Sequence, residues 1–178
     1  MDGDKSGLIG KRVSRPNAKR LVAGRGRYSD DIQLPRMAHA AFARSPHPHA
    51  EIESIDKDAA LAGDGVLCVM TGAELAKICT PWTGGAAHVP SLRAPEQYPM
   101  AVDVARWQGE PVAVVVAQSR ALAEDAAEKL VIDWRPLPAV SDGETALAPG
   151  ARPVHAGDPD NLAFEARTGE GDVDCVRP

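Results

Sequence analysis

The sequence has little of what would tie it to a membrane, a nucleic acid or an iron–sulfur cluster. Its longest apolar run, Val112 to Ala117, falls far short of the roughly 20 residues that a spanning helix needs. The opening stretch, MDGDKSGLIGKRVSR, has no apolar core of signal-peptide length, so the cytoplasm is the expected location. The net charge is −5, and no basic stretch is interleaved with aromatics. This argues against nucleic acid or an anionic membrane as the main partner. Cysteines number 3 (Cys68, Cys79 and Cys175), widely spaced and with no C-x-x-C pair. A cluster would take about four thiolates at tight spacing, which the chain cannot supply. Cys68 lies in VLCVM, a buried-strand pattern, and is expected to be a small core hydrophobe.

Aromatics are also scarce, at 4%, whereas prolines number 15 and glycines 16 among 178 residues. That balance predicts a loop-rich α+β domain and argues against a helical bundle. The length suits one ordinary domain, which can bury roughly two thirds of its unfolded surface without disulfide or metal.

The chain is organised around GEPVAVVVAQSRALAEDAAEKLVIDWRPLPAV, Gly109 to Val140. Pro111 to Ala117 has no polar residue to turn toward water, which predicts a strand covered on both faces. Ser119 is placed to cap a helix. Over Arg120 to Leu130 the period changes: Leu122, Ala126 and Leu130 fall four apart, flanked by Ala123 and Ala127, with charges opposite. This is an amphipathic helix of about three turns, with Asp125 and Lys129 at ion-pair spacing. Leu130 to Trp134 returns to strand, stopped by Pro136 and Pro138. The strand–helix–strand unit is expected to supply the densest part of the core.

Residues 1–20 read as a polar, irregular arm, and Leu21 to Asp31 as a turn-rich segment. Gly24 and Gly26 form a G-x-G, but Ser29 stands where a dinucleotide loop has its third glycine. Strands are expected over Met37–Arg44, Glu51–Ile55 and Val66–Met70, and a short helix over Lys57–Leu61 that Gly63 and Gly65 end. Thr71 and Glu74 match a capping box, opening a helix from Ala73 to about Ile78. Cys79 to Glu110 is the least regular part, a connection long enough to be functional, partner-ordered or disordered. A short helix is expected over Ser141–Ala148, then an extended tail.

His39, His47 and His49 lie close in sequence, but Pro48 stiffens the backbone and no acid or cysteine completes a ligand set. Polar packing or an interface role is the stronger reading. Ser45 with a histidine and Asp31 lacks the G-x-S-x-G elbow of a hydrolase. Asp30 and Asp31 point apart on an extended backbone, and a turn accounts for them. The residues by themselves yield no catalytic set.

Three segments resemble one family. RLVAGRGRYSDDIQLPRMAHAAFARSPHPHAEIESID, RWQGEPVAVVVAQSRALAEDAAEKLVIDWRPLPAV and HAGDPDNLAFEARTGEGDVD occur here in that order. They resemble the N-terminal part of the molybdenum-binding large subunit of the xanthine dehydrogenase, aldehyde oxidase and carbon monoxide dehydrogenase family, collinearly from about Ile9 to Asp174. The GRGRYSDDI form is most similar to the carbon monoxide dehydrogenase-type branch, whose members differ in substrate.

The resemblance implies an α/β-hammerhead fold over residues 21–150, preceded by the arm at 1–20. The tail at 151–178 would lead into absent molybdopterin-binding domains. It implies an oxidoreductase in the complete protein, containing molybdenum–molybdopterin cytosine dinucleotide, with iron–sulfur and flavin subunits as partners. No catalytic, cofactor-binding or metal-binding position of that family has a counterpart here. The chain is therefore expected to be scaffold only, as a domain, a split-gene product or a truncated form. The alternative is a free-standing binding or assembly module that keeps the fold. Arg25, Tyr28, Asp31, Arg44, Ser45, His47 and His49 are the candidate interface toward another domain or subunit. Without those partners, the Cys79–Glu110 loop and the tail from Ala151 are expected to be mobile or to pair two copies.

Overall fold

The computed structural model describes residues 7, 10–86, 89 and 91–166. They fall into two units, Met1–Met37 and Ala38–Pro178.

In the first unit, helix α1 covers Ala18–Val22, so the arm is not irregular throughout. Its end is built by Gly24 at φ +68°. The Gly24 N–H donates to Leu21 O and the Arg25 N–H to Arg20 O at 2.9 Å, the two bonds of a Schellman closure. A 3-10 turn follows at Ser29–Asp31, where the Asp31 carboxylate accepts the Tyr28 N–H at 2.9 Å. That bond accounts for one of the paired aspartates.

Among its described residues the second unit has eight strands: β1 (His39–Arg44), β2 (Ala50–Asp56), β3 (Val66–Thr71), β4 (Trp82–Thr83), β5 (Glu96–Gln97), β6 (Val104–Ala105), β7 (Pro111–Ala117) and β8 (Val131–Pro136). Helices α2 (Asp58–Leu61), α3 (Gly72–Leu75), α4 (Arg120–Ala127) and α5 (Gly143–Ala146) connect them. One antiparallel sheet runs β1-β7-β3, a second runs β6-β2-β8, and β4 pairs β5.

β7 is the middle strand, which explains its apolar run. Val112, Ala113, Val115 and Ala117 are fully buried. Ser119 caps α4, its Oγ accepting the Leu122 N–H at 3.3 Å. Ala123 and Ala126 are the buried positions of that helix, and such small side chains let it lie close on the sheet. Ala60, Val69, Val115 and Ala126 form the core cluster, with Leu130 packed against it.

Three expectations change. β8 leaves the sheet of β7 and pairs with β2, with only Ile132 and Trp134 partly covered. The dense core is therefore β7 and α4, without β8. Cys68 is exposed. The β3–β7 register shifts between Val66 and Cys68, and such a bulge breaks the in–out alternation, turning both Leu67 and Cys68 outward. Among the described residues, no ion pair joins Asp125 to Lys129.

The irregular stretch is partly core. Met100, Ala101 and Ala105 are buried, and the Ala101 N–H donates to Pro111 O at 2.8 Å. The tail docks as well. Asn161, at φ +55°, donates to Ala146 O and Arg152 O and accepts from the Val154 N–H. Arg93 reaches Asp160 at 2.6 Å and the Leu162 carbonyl, and its own N–H donates to Ala163 O. Loop and tail, expected to be mobile or to pair two copies, are hydrogen-bonded to each other.

Candidate functional site

The end of β1 and its connection to β2 carry four of the seven candidate interface residues, Arg44 in the strand and Ser45, His47 and His49 in the connection. Ser45 is 2% exposed. Its Oγ–H donates to His47 O at 2.9 Å and its Oγ accepts the His47 N–H at 3.1 Å, a local turn of the kind serine favours. The Ser45 N–H donates to Glu110 O, and the Gly109 N–H donates back to Ser45 O. The loop is thus clamped to the turn before β7. Arg44 Nη1 donates to Gly109 O at 2.9 Å, with its guanidinium over the Phe42 ring at 5.6 Å.

His49 is buried, with Nδ1 2.9 Å from Pro138 O. A carbonyl only accepts, so Nδ1 carries the proton. The Leu137 N–H donates to His49 O, joining the loop to the end of β8. The His47 ring stands edge-on to Trp134 at 5.7 Å.

The structure therefore brings Arg44, Ser45, His47 and His49 together. Ser45 and His49 face inward, so they shape the loop, while Arg44 and His47 are left accessible. Arg25, Tyr28 and Asp31 belong to the first unit. His39 opens β1, at the opposite end of that strand from the loop.

A second cluster has no local sequence signature. A cavity of about 290 Å³ is lined by Tyr98, Asp103, Arg106, Trp107, Glu110 and His155, among others. Glu110 is 6% exposed, and its carboxylate accepts the Arg106 N–H at 2.5 Å. Burial raises its pKa, and the Arg106 N–H and guanidinium only partly offset this. Burial lowers the His155 pKa; Arg106 and His49 push the same way, and Asp158 opposes them. Arg106 Nη1 donates to Val104 O at 3.1 Å, but Nε is buried with no partner among the described residues. The sequence signal was a glutamate set directly before the apolar run of β7. Its partners lie too far along the chain for spacing to reveal them.

The cluster offers a carboxyl, an imidazole and a guanidinium, with no nucleophile beside them. Among the described residues, no three His, Cys, Asp or Glu side chains are grouped to hold a metal ion.

The family described as aldehyde oxidase and xanthine dehydrogenase, a/b hammerhead domain, matches residues 23–138. The chain belongs to that family. The antiparallel sheets with few helices are its hammerhead fold.

The nicotine 6-hydroxylase large subunit of Paenarthrobacter nicotinovorans is 39% identical over 94% of this chain and 20% of that protein. The carbon monoxide dehydrogenase large chain of Afipia carboxidovorans is 36% identical over 80% of this chain and 17% of that protein. Among solved structures, quinoline 2-oxidoreductase from Pseudomonas putida aligns with a TM-score of 0.72 at 43% identity, covering 83% of this chain and 19% of that one. The hammerhead chain thus spans about a fifth of the length of the curated relatives it matches.

Members of the family are molybdenum enzymes, and the relatives are subunits of multi-subunit complexes. The described residues here do not fit the metal group: no three His, Cys, Asp or Glu side chains are grouped to hold a metal ion, and the cavity at Glu110 offers a single carboxyl, imidazole and guanidinium. No helix of the described residues is long and apolar enough to cross a membrane.

Proposed function

We propose that this chain is the structural hammerhead part of a molybdenum hydroxylase large subunit, and that the chemistry is carried by domains outside it. Residues 21–150 form the hammerhead body, and 151–178 form the segment that leads toward the molybdopterin-binding domains. The cofactor of the complete enzyme is molybdenum–molybdopterin cytosine dinucleotide. Iron–sulfur and flavin subunits carry its electrons away, and the assembly works in the cytoplasm. Arg25, Tyr28 and Asp31 of the first unit, and separately Arg44 and His47 of the second, each meet a neighbouring domain or subunit, while Ser45 and His49 hold the loop in shape.

One observation carries this reading. The β1–β2 loop spends its buried polar groups on backbone clamps to Glu110, Gly109, Pro138 and Leu137. A loop fixed at this many points, with a cation and an imidazole left outward, is built to present a rigid surface.

A domain exchange tests it. Residues 23–138 would replace the matching segment in the quinoline 2-oxidoreductase large chain. The expected result is a complex that assembles, retains molybdenum and turns over quinoline. A folded chimera that never acquires its partner subunits would overturn the scaffold assignment.

A further inference from the structure

A cleft of about 540 Å³ opens beside β1. One wall is β1 itself, where Phe42 and Arg44 and their neighbours all line the opening. The other is the face of β8 that carries Ile132 and Trp134, and the end of α4 closes the rim with Glu124 and Glu128. β1 and β8 are each the edge of their sheet. Half the backbone N–H and C=O groups of an edge strand point away from its neighbour and stand ready to pair.

Edge strands that must stay unpaired are blunted by charge, proline or a bulge. β1 reads HAAFAR, with no lysine, proline or acid; its register irregularity falls at its end, between Ala43 and Arg44, and leaves His39–Ala43 regular, and its Phe42 is 46% exposed. The one cation in the cleft, Arg44, is already held by Gly109 O and the Phe42 ring. The cleft therefore has an open backbone edge, an apolar wall and a rim that carries two carboxylates.

We propose that the cleft receives an extended strand from the remaining part of the large subunit, added to β1. Apolar side chains would lie on Ile132 and Trp134, and basic ones would face Glu124 and Glu128. The proposal rests on the scaffold reading above. The carboxylates of the rim call for a basic occupant, and roughly four fifths of the length of the relatives lies outside this chain. Strand addition takes affinity from the backbone and specificity from alternate side chains.

The test uses the chain as it stands and three short capped peptides. One alternates valine with lysine, one alternates valine with glutamate, and one is the valine–lysine peptide with a central proline. Hydrogen exchange of the Ala40–Arg44 amides and Trp134 fluorescence are followed during titration. The valine–lysine peptide should slow exchange at β1 and bind about tenfold or more tighter than the glutamate peptide, a difference of about 1.4 kcal/mol. The proline peptide should not slow exchange. The double variant Glu124→Gln, Glu128→Gln should narrow the lysine–glutamate gap.

Binding without slowed exchange at β1 would overturn the proposal, as would equal binding of both charge types. Self-association through β1 that excludes the peptides would assign the edge to a second copy and overturn it too. If the peptides fail while the domain exchange succeeds, the cleft is wrong and the scaffold role stands.

Discussion

Gly72 lies directly under the backbone of Ala101: a Cβ built on Gly72 would sit 1.8 Å from the Ala101 carbonyl oxygen. The contact is backbone to backbone, so no side chain can swing aside. It lets the start of α3 pass beneath the stretch that carries the buried Met100 and Ala101.

Gly72→Ala should therefore cost about 3 kcal/mol or more in urea unfolding, at the upper end for overpacking. Gly85→Ala, where nothing lies within 4 Å, should change stability by less than about 0.5 kcal/mol. Equal effects at the two positions would refute the contact.

The capping box at α3 predicts an acid-side response. Glu74 accepts the Thr71 N–H at 2.9 Å and pairs with Lys57. The Lys57 hydrogen bond first, then the Thr71 N–H, lower its pKa to about 2. A depressed carboxylate contributes stability that is present above its unfolded pKa and lost as pH falls through the folded value. This contribution should fade between about pH 4.5 and 2. Lys57→Met should flatten the decline. Thr71→Ala should cost about 1 kcal/mol at neutral pH. Stability curves recorded against pH for the three proteins check both statements.

Glu110 has the opposite sign. Its pKa is raised by burial, so its favourable contribution is complete below the unfolded pKa and is lost as pH rises through the folded one. Glu110→Gln keeps an acceptor for the Arg106 N–H and removes the charge. It should leave stability at pH 7 equal to the parent or higher, and remove the decline with rising pH. Glu110→Ala strands that N–H and should cost about 1–3 kcal/mol. A glutamine variant as damaged as the alanine one would mean that the charge itself is required.

The partly buried His155 predicts that docking of the tail depends on pH. Its pKa is lowered, chiefly by burial and then by Arg106 and His49, against Asp158. Stability from the neutral imidazole is present above the unfolded value of 6.5 and lost as pH falls through the folded value. Hydrogen exchange of the Ala151–Ala163 amides should accelerate relative to β7 amides as pH drops below 6.5, and His155→Gln should abolish that difference. Parallel behaviour of tail and β7 would contradict it.

The accessible loop residues predict an assembly defect without a folding defect. Arg44→Ala and His47→Ala each touch a partly exposed contact, so unfolding of the isolated chain should shift by less than about 1 kcal/mol. In the quinoline 2-oxidoreductase chimera, the pair should lower the yield of complete complex severalfold. Unchanged assembly would remove the loop from the interface.

What could be read in the sequence was local. The β7 run, the Ser119 cap of α4 and the Thr71–Glu74 box each depend on residues within a few positions, where period and capping chemistry decide the outcome. The loop at Ser45–His49 was found as a motif, but only the structure shows that Ser45 and His49 turn inward. What escaped was non-local. Cys68 faces out because of a bulge set by pairing with β7. β8 joins β2, a choice its own apolar pattern does not contain. Glu110 and His155 meet at one cavity across a long separation, and neither has a spacing partner that would announce it.

The most direct measurement is elemental analysis of the purified chain for molybdenum, iron and zinc at known protein concentration. A scaffold domain predicts each metal far below one atom per chain, in a protein whose thermal unfolding is unchanged by chelators. Stoichiometric molybdenum would place cofactor machinery within this chain and contradict the account. Stoichiometric zinc would make the histidines of the β1–β2 loop a metal site instead of an interface.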